Sequence, residues 1–277
     1  MKPVEKIHTV ELFPPLSSKL LSLLRSLPAA DWAKPTVCPA WSVKDIVAHL
    51  LGGNIGRLWQ YDDASLSQQG PVLAYDELVS LIDKENHEWV QATRRISPEI
   101  LIEFLELTDR KLYQRFSLFD EDKPARIAVA WAGHSVSPYW FDIAREYTEK
   151  WLHQQHIREA VGKPLLSTRR WLFPVLDTFI RGLPYTYREV TADEGAAISV
   201  HIVGEAGGDW SLLRQNDAWH LFSGLHPGPV SRIRMNQDLA WRLFTKGIRL
   251  EAARSEVQID GDASLGERIL CMVSIMA

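Results

Sequence analysis

The chain has 277 residues, 46% hydrophobic and 24% charged, with a formal net charge of −4. At roughly 150 residues per domain this length suits about two domains, each large enough to bury a core without staples. Eleven Trp beside seven Tyr and nine Phe exclude disorder, and two distant cysteines, Cys38 and Cys271, exclude a disulfide framework or a Cys-only zinc site.

Residues 1–15 read as an extended lead-in without the apolar core of a signal peptide. Leu16, Leu20, Leu23, Leu24 and Leu27 carry helical spacing, stopped by Pro28. Ser42 is an N-cap with Asp45 three residues on, an approximate capping box. The helix it opens runs through His49 and Leu51, and Gly52-Gly53 either ends it or lets it pass to Trp59. A third helix is expected over Tyr75–Ile96, with Leu78, Leu81, Ile82 and Trp89 on its apolar side. A fourth opens at Pro98 and runs through Phe104 to Phe116. After a charged loop at Asp120–Pro124, Ser137-Pro138 reads as N-cap and N1 of a helix over Tyr139–Val161, ended by Gly162.

The texture changes near residue 165. One helix is expected around Arg170–Arg181. Alternating strands follow at Ala197–Val203, Trp210–Arg214, Ala218–Phe222 and Val230–Met235. Asn236–Lys246 reads as a helix stopped by Gly247, and Val257–Asp260 as a strand. Leu265–Ile275 fits either element. These patterns give an α + (α+β) chain: a helical domain over 1–165 and a smaller α+β domain over 166–277. No apolar run approaches the ~20 residues of a membrane span, and no basic stripe marks a nucleic-acid binder. The expected setting is the cytoplasm, without nucleic-acid or membrane partners.

Glu149, His153 and His156 fall within an arc of about 60° on one helix face. A carboxylate and an imidazole at i, i+4 chelate one divalent ion, and a histidine from a neighbouring helix, such as His49, completes three ligands with a fourth position open. Spacing alone leaves the plainer alternatives standing: a solvated Glu-x-x-x-His pair and a satisfied core histidine.

The stretch Trp32–Leu50, WAKPTVCPAWSVKDIVAHL, resembles the N-terminal signature of the mycothiol-dependent maleylpyruvate isomerase family, as does Ala144–Arg158, AREYTEKWLHQQHIR. That family belongs to the DinB-like metalloproteins, so the resemblance implies a four-helix bundle. It implies His49, Glu149 and His153 as metal ligands, with His156 as a neighbour and Cys38 in a structural role. The pieces DLAWRLFTKG, Asp238–Gly247, and VQIDGD, Val257–Asp262, resemble the sterol-carrier-protein-like domain of the same enzymes.

What the resemblance implies chemically is a divalent metal, Zn for this donor set, and a low-molecular-weight thiol, mycothiol or an equivalent. A metal-bound thiol is deprotonated at neutral pH and nucleophilic. It would serve a cis-trans isomerase or S-transferase acting on a small electrophilic substrate. Two other classes fit the same ligands: a metal-dependent hydrolase with activated water, and a non-catalytic metal-binding stress-response protein. An anionic substrate also asks for a cation, and the second domain offers Arg232, Arg234 and Arg242, with no one of them singled out.

Overall fold

The structure is a computed structural model, and it describes residues 1–62 and 75–274. The chain divides into two compact units. Among the described residues, one holds 8–62, 75–126 and 138–165. The other gathers Met1–Ile7, Ile127–Ser137 and residues 166–274.

The first unit is helical, with α1 (Phe13–Arg25), α2 (Val43–Asp62), α3 (Tyr75–Thr93), α4 (Pro98–Phe116) and α5 (Tyr139–Ala160). Helix α1 packs on α4 and α5, and α2 packs on the same two, so these four close a bundle while α3 lies against α2. Its core joins Leu20, Leu24, Val43, Ile46, Leu50, Leu101, Leu105 and Ile157. Helix α1 begins at Phe13, ahead of the first predicted leucine. Pro14 and Pro15 lack only N–H groups that the first turn leaves unbonded anyway. Phe13 then meets Phe116 and Tyr147 edge-on, with ring centroids 5.1 and 5.8 Å away.

The Ser42–Asp45 box forms. Asp45 Oδ2 accepts from the Ser42 N–H and hydroxyl at 3.0 and 2.8 Å, and the Asp45 N–H donates to Ser42 Oγ at 3.3 Å. Helix α2 then continues through Gly52-Gly53 to Asp62. Gly52 gives room rather than a stop: Trp89 of α3 lies over it and donates its indole N–H to the Ala48 carbonyl at 2.7 Å. On α3 itself, Leu81 is exposed, contrary to its predicted apolar side, as is Phe104 on α4. Ser97 caps α4 by accepting from the Ile100 N–H.

Ser137 is not the cap of α5. Pro138 holds the N-cap position, and Ser137 Oγ instead accepts from the Val129 N–H at 2.9 Å. A helix-initiating Ser-Pro and a buried serine serving a loop look alike in sequence. The other end behaves as its composition predicts: α5 closes at Gly162, whose φ of +65° suits glycine.

The second unit carries α6 (Arg169–Ile180), α7 (Leu183–Thr186), α8 (Gln237–Phe244), α9 (Leu250–Glu256) and α10 (Ala263–Glu267). Its sheet comprises β1 (Lys2–Pro3), β2 (Ala197–Val203), β3 (Gly208–Gln215), β4 (Ala218–Ser223), β5 (Ser231–Asn236) and β6 (Gln258–Gly261), in the order β1-β4-β3-β2-β5-β6. Among the described residues, β2 and β5 run parallel and the other pairs are antiparallel. Strand β2 is buried almost throughout, as a central strand should be, whereas β5 alternates, with Ser231, Ile233 and Met235 inward. Asn216 and Asp217, both at positive φ, make the two-residue turn between β3 and β4.

Asn236 caps α8 by accepting from the Leu239 N–H at 2.7 Å. That helix ends at a left-handed Lys246, with φ 58°, one residue before the glycine expected to stop it. The ambiguous stretch from Leu265 is a short helix followed by a 3-10 turn over Arg268–Cys271, and its end at Ile275 lies outside the described residues. Helices α7 and α9 are too short and weakly patterned to stand out in the sequence. The lead-in contributes β1, which pairs with β4 through Lys2↔Ser223 and Pro3↔Phe222.

Candidate metal centre

Helix α5 is buried nearly all round, although it carries a polar residue at most positions. Several of those polar groups pair with α2, although the Gln154 amide and Nδ1 of His153 are buried without a hydrogen-bond partner among the described residues. At one end, Arg57 donates to both Asp142 oxygens at 3.0 and 3.1 Å and to Glu146 at 3.2 Å, while the Tyr61 hydroxyl donates to Asp142 at 3.2 Å. Burial pushes the Asp142 carboxyl up to about 6, which still leaves it ionised at neutral pH. Burial also opposes the Arg57 charge, but Asp142, Tyr61 and Glu146 together hold the guanidinium above its ordinary range. One step along, the Lys150 ammonium donates to Asn54 Oδ1, and the Asn54 amide donates to Thr108 and Asp109 of α4 at 2.9 and 2.7 Å.

At the far end of this row stand the three predicted ligands. His49 Nε2 lies 3.1 Å from Glu149 Oε1, and His153 Nε2 lies 2.9 Å from the same oxygen. Helix spacing places His153 one turn beyond Glu149, and the packing of α2 on α5 brings in His49. One ligand atom from each of the three lies within 4.8 Å of the others. Burial raises the cost of charge on Glu149, but the two imidazoles hold its carboxyl well below the usual range. Burial pushes His49 down, against the pull of Glu149, so its ring is neutral at pH 7. The histidine side chains are 12% and 9% exposed, but Glu149 keeps 35%, so the cluster opens to solvent on its carboxylate side. Two neutral-capable imidazoles and a carboxylate, convergent with one side open, fit a divalent ion of the zinc type.

The loop ahead of α2 covers the cluster. Backbone bonds from Thr36 N–H to the Trp41 carbonyl and from Val43 N–H to the Lys34 carbonyl, at 3.2 and 3.0 Å, close it at its base. It lays Trp41 across His49, with centroids 4.7 Å apart and planes at 34°. It also carries Cys38, whose sulfur lies 3.5 Å from His156 Nδ1 and whose thiol is pushed up by burial. His156 is therefore outside the His49/Glu149/His153 set, although it shares their helix face. Arg232, Arg234 and Arg242 all lie in the sheet-containing unit. Arg242 is engaged there by Asp238 at 3.1 Å, and Arg234 by Gln258 at 3.4 Å.

Sequence reasoning missed the Arg57/Asp142/Glu146 and Asn54/Lys150/Asp109 groups. The available signal was periodicity: Asp142, Glu146, Glu149 and His153 recur at the i, i+4, i+7 spacing that usually marks an apolar stripe.

A four-helix bundle with a two-histidine, one-glutamate cluster between two facing helices defines the class: a helical-bundle protein with a candidate mononuclear metal centre. The family model described as the mycothiol maleylpyruvate isomerase N-terminal domain matches residues 13–158, more than half the chain, and the chain belongs to that family. Among solved structures, the chain resembles the mycothiol-dependent maleylpyruvate isomerase with a TM-score of 0.54 at 11% identity, covering 93% of this chain and 92% of that one. A histidine-to-alanine mutant of that enzyme matches equally well, again with a TM-score of 0.54. A fainter likeness, TM-score 0.26 at 13% identity over 37% of this chain and 90% of the other, is to a UbiJ-SCP2 ubiquinone synthesis protein. No curated protein sequence matches the chain. The whole-chain likeness gives the fold, a helical bundle followed by a mixed-sheet unit. No helix among the described residues is long and apolar enough to cross a membrane.

Proposed function

We propose that this chain is a thiol-dependent isomerase or S-transferase of the maleylpyruvate isomerase type, acting on a small electrophilic substrate. His49, Glu149 and His153, in a helical domain over 1–165, hold a divalent ion, Zn²⁺ by the chemistry of the donors. Mycothiol or an equivalent low-molecular-weight thiol is the co-substrate. The 166–277 domain accompanies this one, and the setting is the cytoplasm, where free thiols such as Cys38 persist. No nucleic acid or membrane enters the scheme. The observation that carries the reading is the meeting of two imidazoles from separate helices on one oxygen of Glu149.

When bound, a divalent cation supplies a position at which a thiol loses its proton at neutral pH. Everything else falls to the chain's own residues. Trp41 keeps water from one face of His49. The Arg57 and Lys150 pairings hold α5 against α2, which keeps the three ligands together. The exposed side of Glu149 leaves room for the thiol and its electrophile to approach.

Elemental analysis of wild type beside His49→Ala and His153→Ala tests the assignment, followed by turnover assays with a thiol and electrophile panel. Loss of bound metal in His153→Ala, with loss of thiol-dependent turnover in both variants, is the expected result. Full metal occupancy in His153→Ala overturns the site. Ester hydrolysis without added thiol, or no turnover from fully metal-loaded wild type, overturns the reaction class.

A further inference from the structure

His153 has two ring nitrogens, and the candidate centre uses one. Nε2 faces Glu149. Nδ1 is buried and has no hydrogen-bond partner among the described residues. A metal-binding histidine ordinarily gives its second nitrogen to a carboxylate, a carbonyl or water, and buried polar atoms are seldom left unpaired. The open end of this ring therefore calls for a partner that the protein atoms do not supply.

Beside it stand a sulfur and another imidazole. Cys38 Sγ, one nitrogen of His153 and one of His156 all lie within 4.8 Å of one another. Cys38 Sγ and His156 Nδ1 are 3.5 Å apart, and the two imidazole centroids are separated by 5.3 Å at 84°. Both histidines are 7% exposed. One thiol and two imidazoles form a softer set than two imidazoles and a carboxylate, and so favour thiophilic ions. We propose that Cys38, His156 and Nδ1 of His153 form a second cation position, selective for thiophilic divalent ions such as Zn²⁺ or Cd²⁺. It stands side by side with the His49/Glu149/His153 set, and His153 bridges the two. Binding releases the Cys38 thiol proton and the His153 ring proton to solvent. The bound ion would tie the loop that carries Trp41 and Cys38 to α5. This inference is independent of the isomerase reading.

Cobalt titration of the full chain in a Cys271→Ser background, which leaves Cys38 as the one thiol, provides the test. The expected result is two equivalents of Co²⁺, one of which brings a sulfur-to-cobalt charge-transfer absorption. Cys38→Ser and His156→Ala should each bind one equivalent without that absorption. His49→Ala should lose the other equivalent and keep the absorption, even if no isomerase or transferase activity is ever found. A wild type that binds one equivalent without the absorption overturns the proposal. So does a single equivalent whose absorption vanishes in His49→Ala, because that would put Cys38 on the first ion. Cys38→Ala, read by the same stoichiometry, guards against a misfolded serine variant: two equivalents there would also overturn it.

Discussion

Gly52 and Gly53 are neighbours in the middle of α2, and alanine at each should act in opposite directions. In a helix interior, alanine is favoured over glycine by about 1 kcal/mol. A methyl at Gly53 meets nothing within 4 Å, so Gly53→Ala should show that gain undiminished. At Gly52 the same methyl stands 2.6 Å from Cδ1 and Nε1 of Trp89. The indole cannot withdraw freely, because its N–H is spent on the Ala48 carbonyl at 2.7 Å. Overpacking of this kind costs about 1–3 kcal/mol, and loss of the indole hydrogen bond costs about 0.5–1.5 kcal/mol. After subtracting the helix gain, Gly52→Ala should be less stable than wild type by roughly 0.5–3.5 kcal/mol. The two variants should then differ by roughly 1.5–4.5 kcal/mol, although they exchange the same atoms one residue apart. Urea unfolding at matched slopes measures the gap. Equal midpoints, or a Gly52→Ala variant more stable than wild type, would refute the seating of Trp89 on α2.

Three further expectations concern the polar groups and the metal. Arg57→Ala leaves Asp142 and Glu146 buried without their cation and should cost about 3–5 kcal/mol, whereas Arg57→Met with Asp142→Leu and Glu146→Leu should recover most of that; urea midpoints decide. Asp45→Ala removes the reach-back of the capping box and should cost about 1 kcal/mol at neutral pH. Burial opposes the Asp45 charge, but Ser42 and Arg94 outweigh it and hold the carboxyl below its usual 3.8. Its stabilisation is therefore complete above that value and lost as pH falls through the lower folded value, so wild type and Asp45→Ala should converge in strong acid in an acid-unfolding series. Chelation should lower the melting temperature of metal-loaded wild type, since free metal at about 100 times its dissociation constant stabilises by about 2.7 kcal/mol. The same chelator should leave His153→Ala unmoved in a thermal scan.

What could be read in advance follows from physical period. Helix α5 announced itself because Pro138 and Gly162 mark its ends, and α1 to α4 because apolar residues at 3.6-residue spacing have few other solutions. The central strands showed for the same reason at period two. Helix α9 was invisible because Ala253 is its one buried residue. Sheet order was invisible because the parallel β2–β5 pairing joins strands separated by a whole hairpin. At the candidate centre, spacing on α5 made Glu149 and His153 candidates without excluding a solvated pair. The resemblance of Trp32–Leu50 and Ala144–Arg158 to the family named them with His49. The contact of His49 with Glu149 itself depends on the packing of α2 on α5. The partners of Cys38 were out of reach because the loop that carries it is closed by backbone bonds, which leave no mark on side-chain patterning.

The polar row between α2 and α5 has a consequence for assembly. A slide of one helix past the other by a single turn, about 5.4 Å, would strand Arg57, Asp142, Glu146 and Lys150 without the counterparts they have now. Buried charges left unpaired in this way would be costly. Alignment of the two helices is thus decided when the chain folds. The imidazoles and carboxylate are then already in place, so the cation proposed for them would meet little ordering cost.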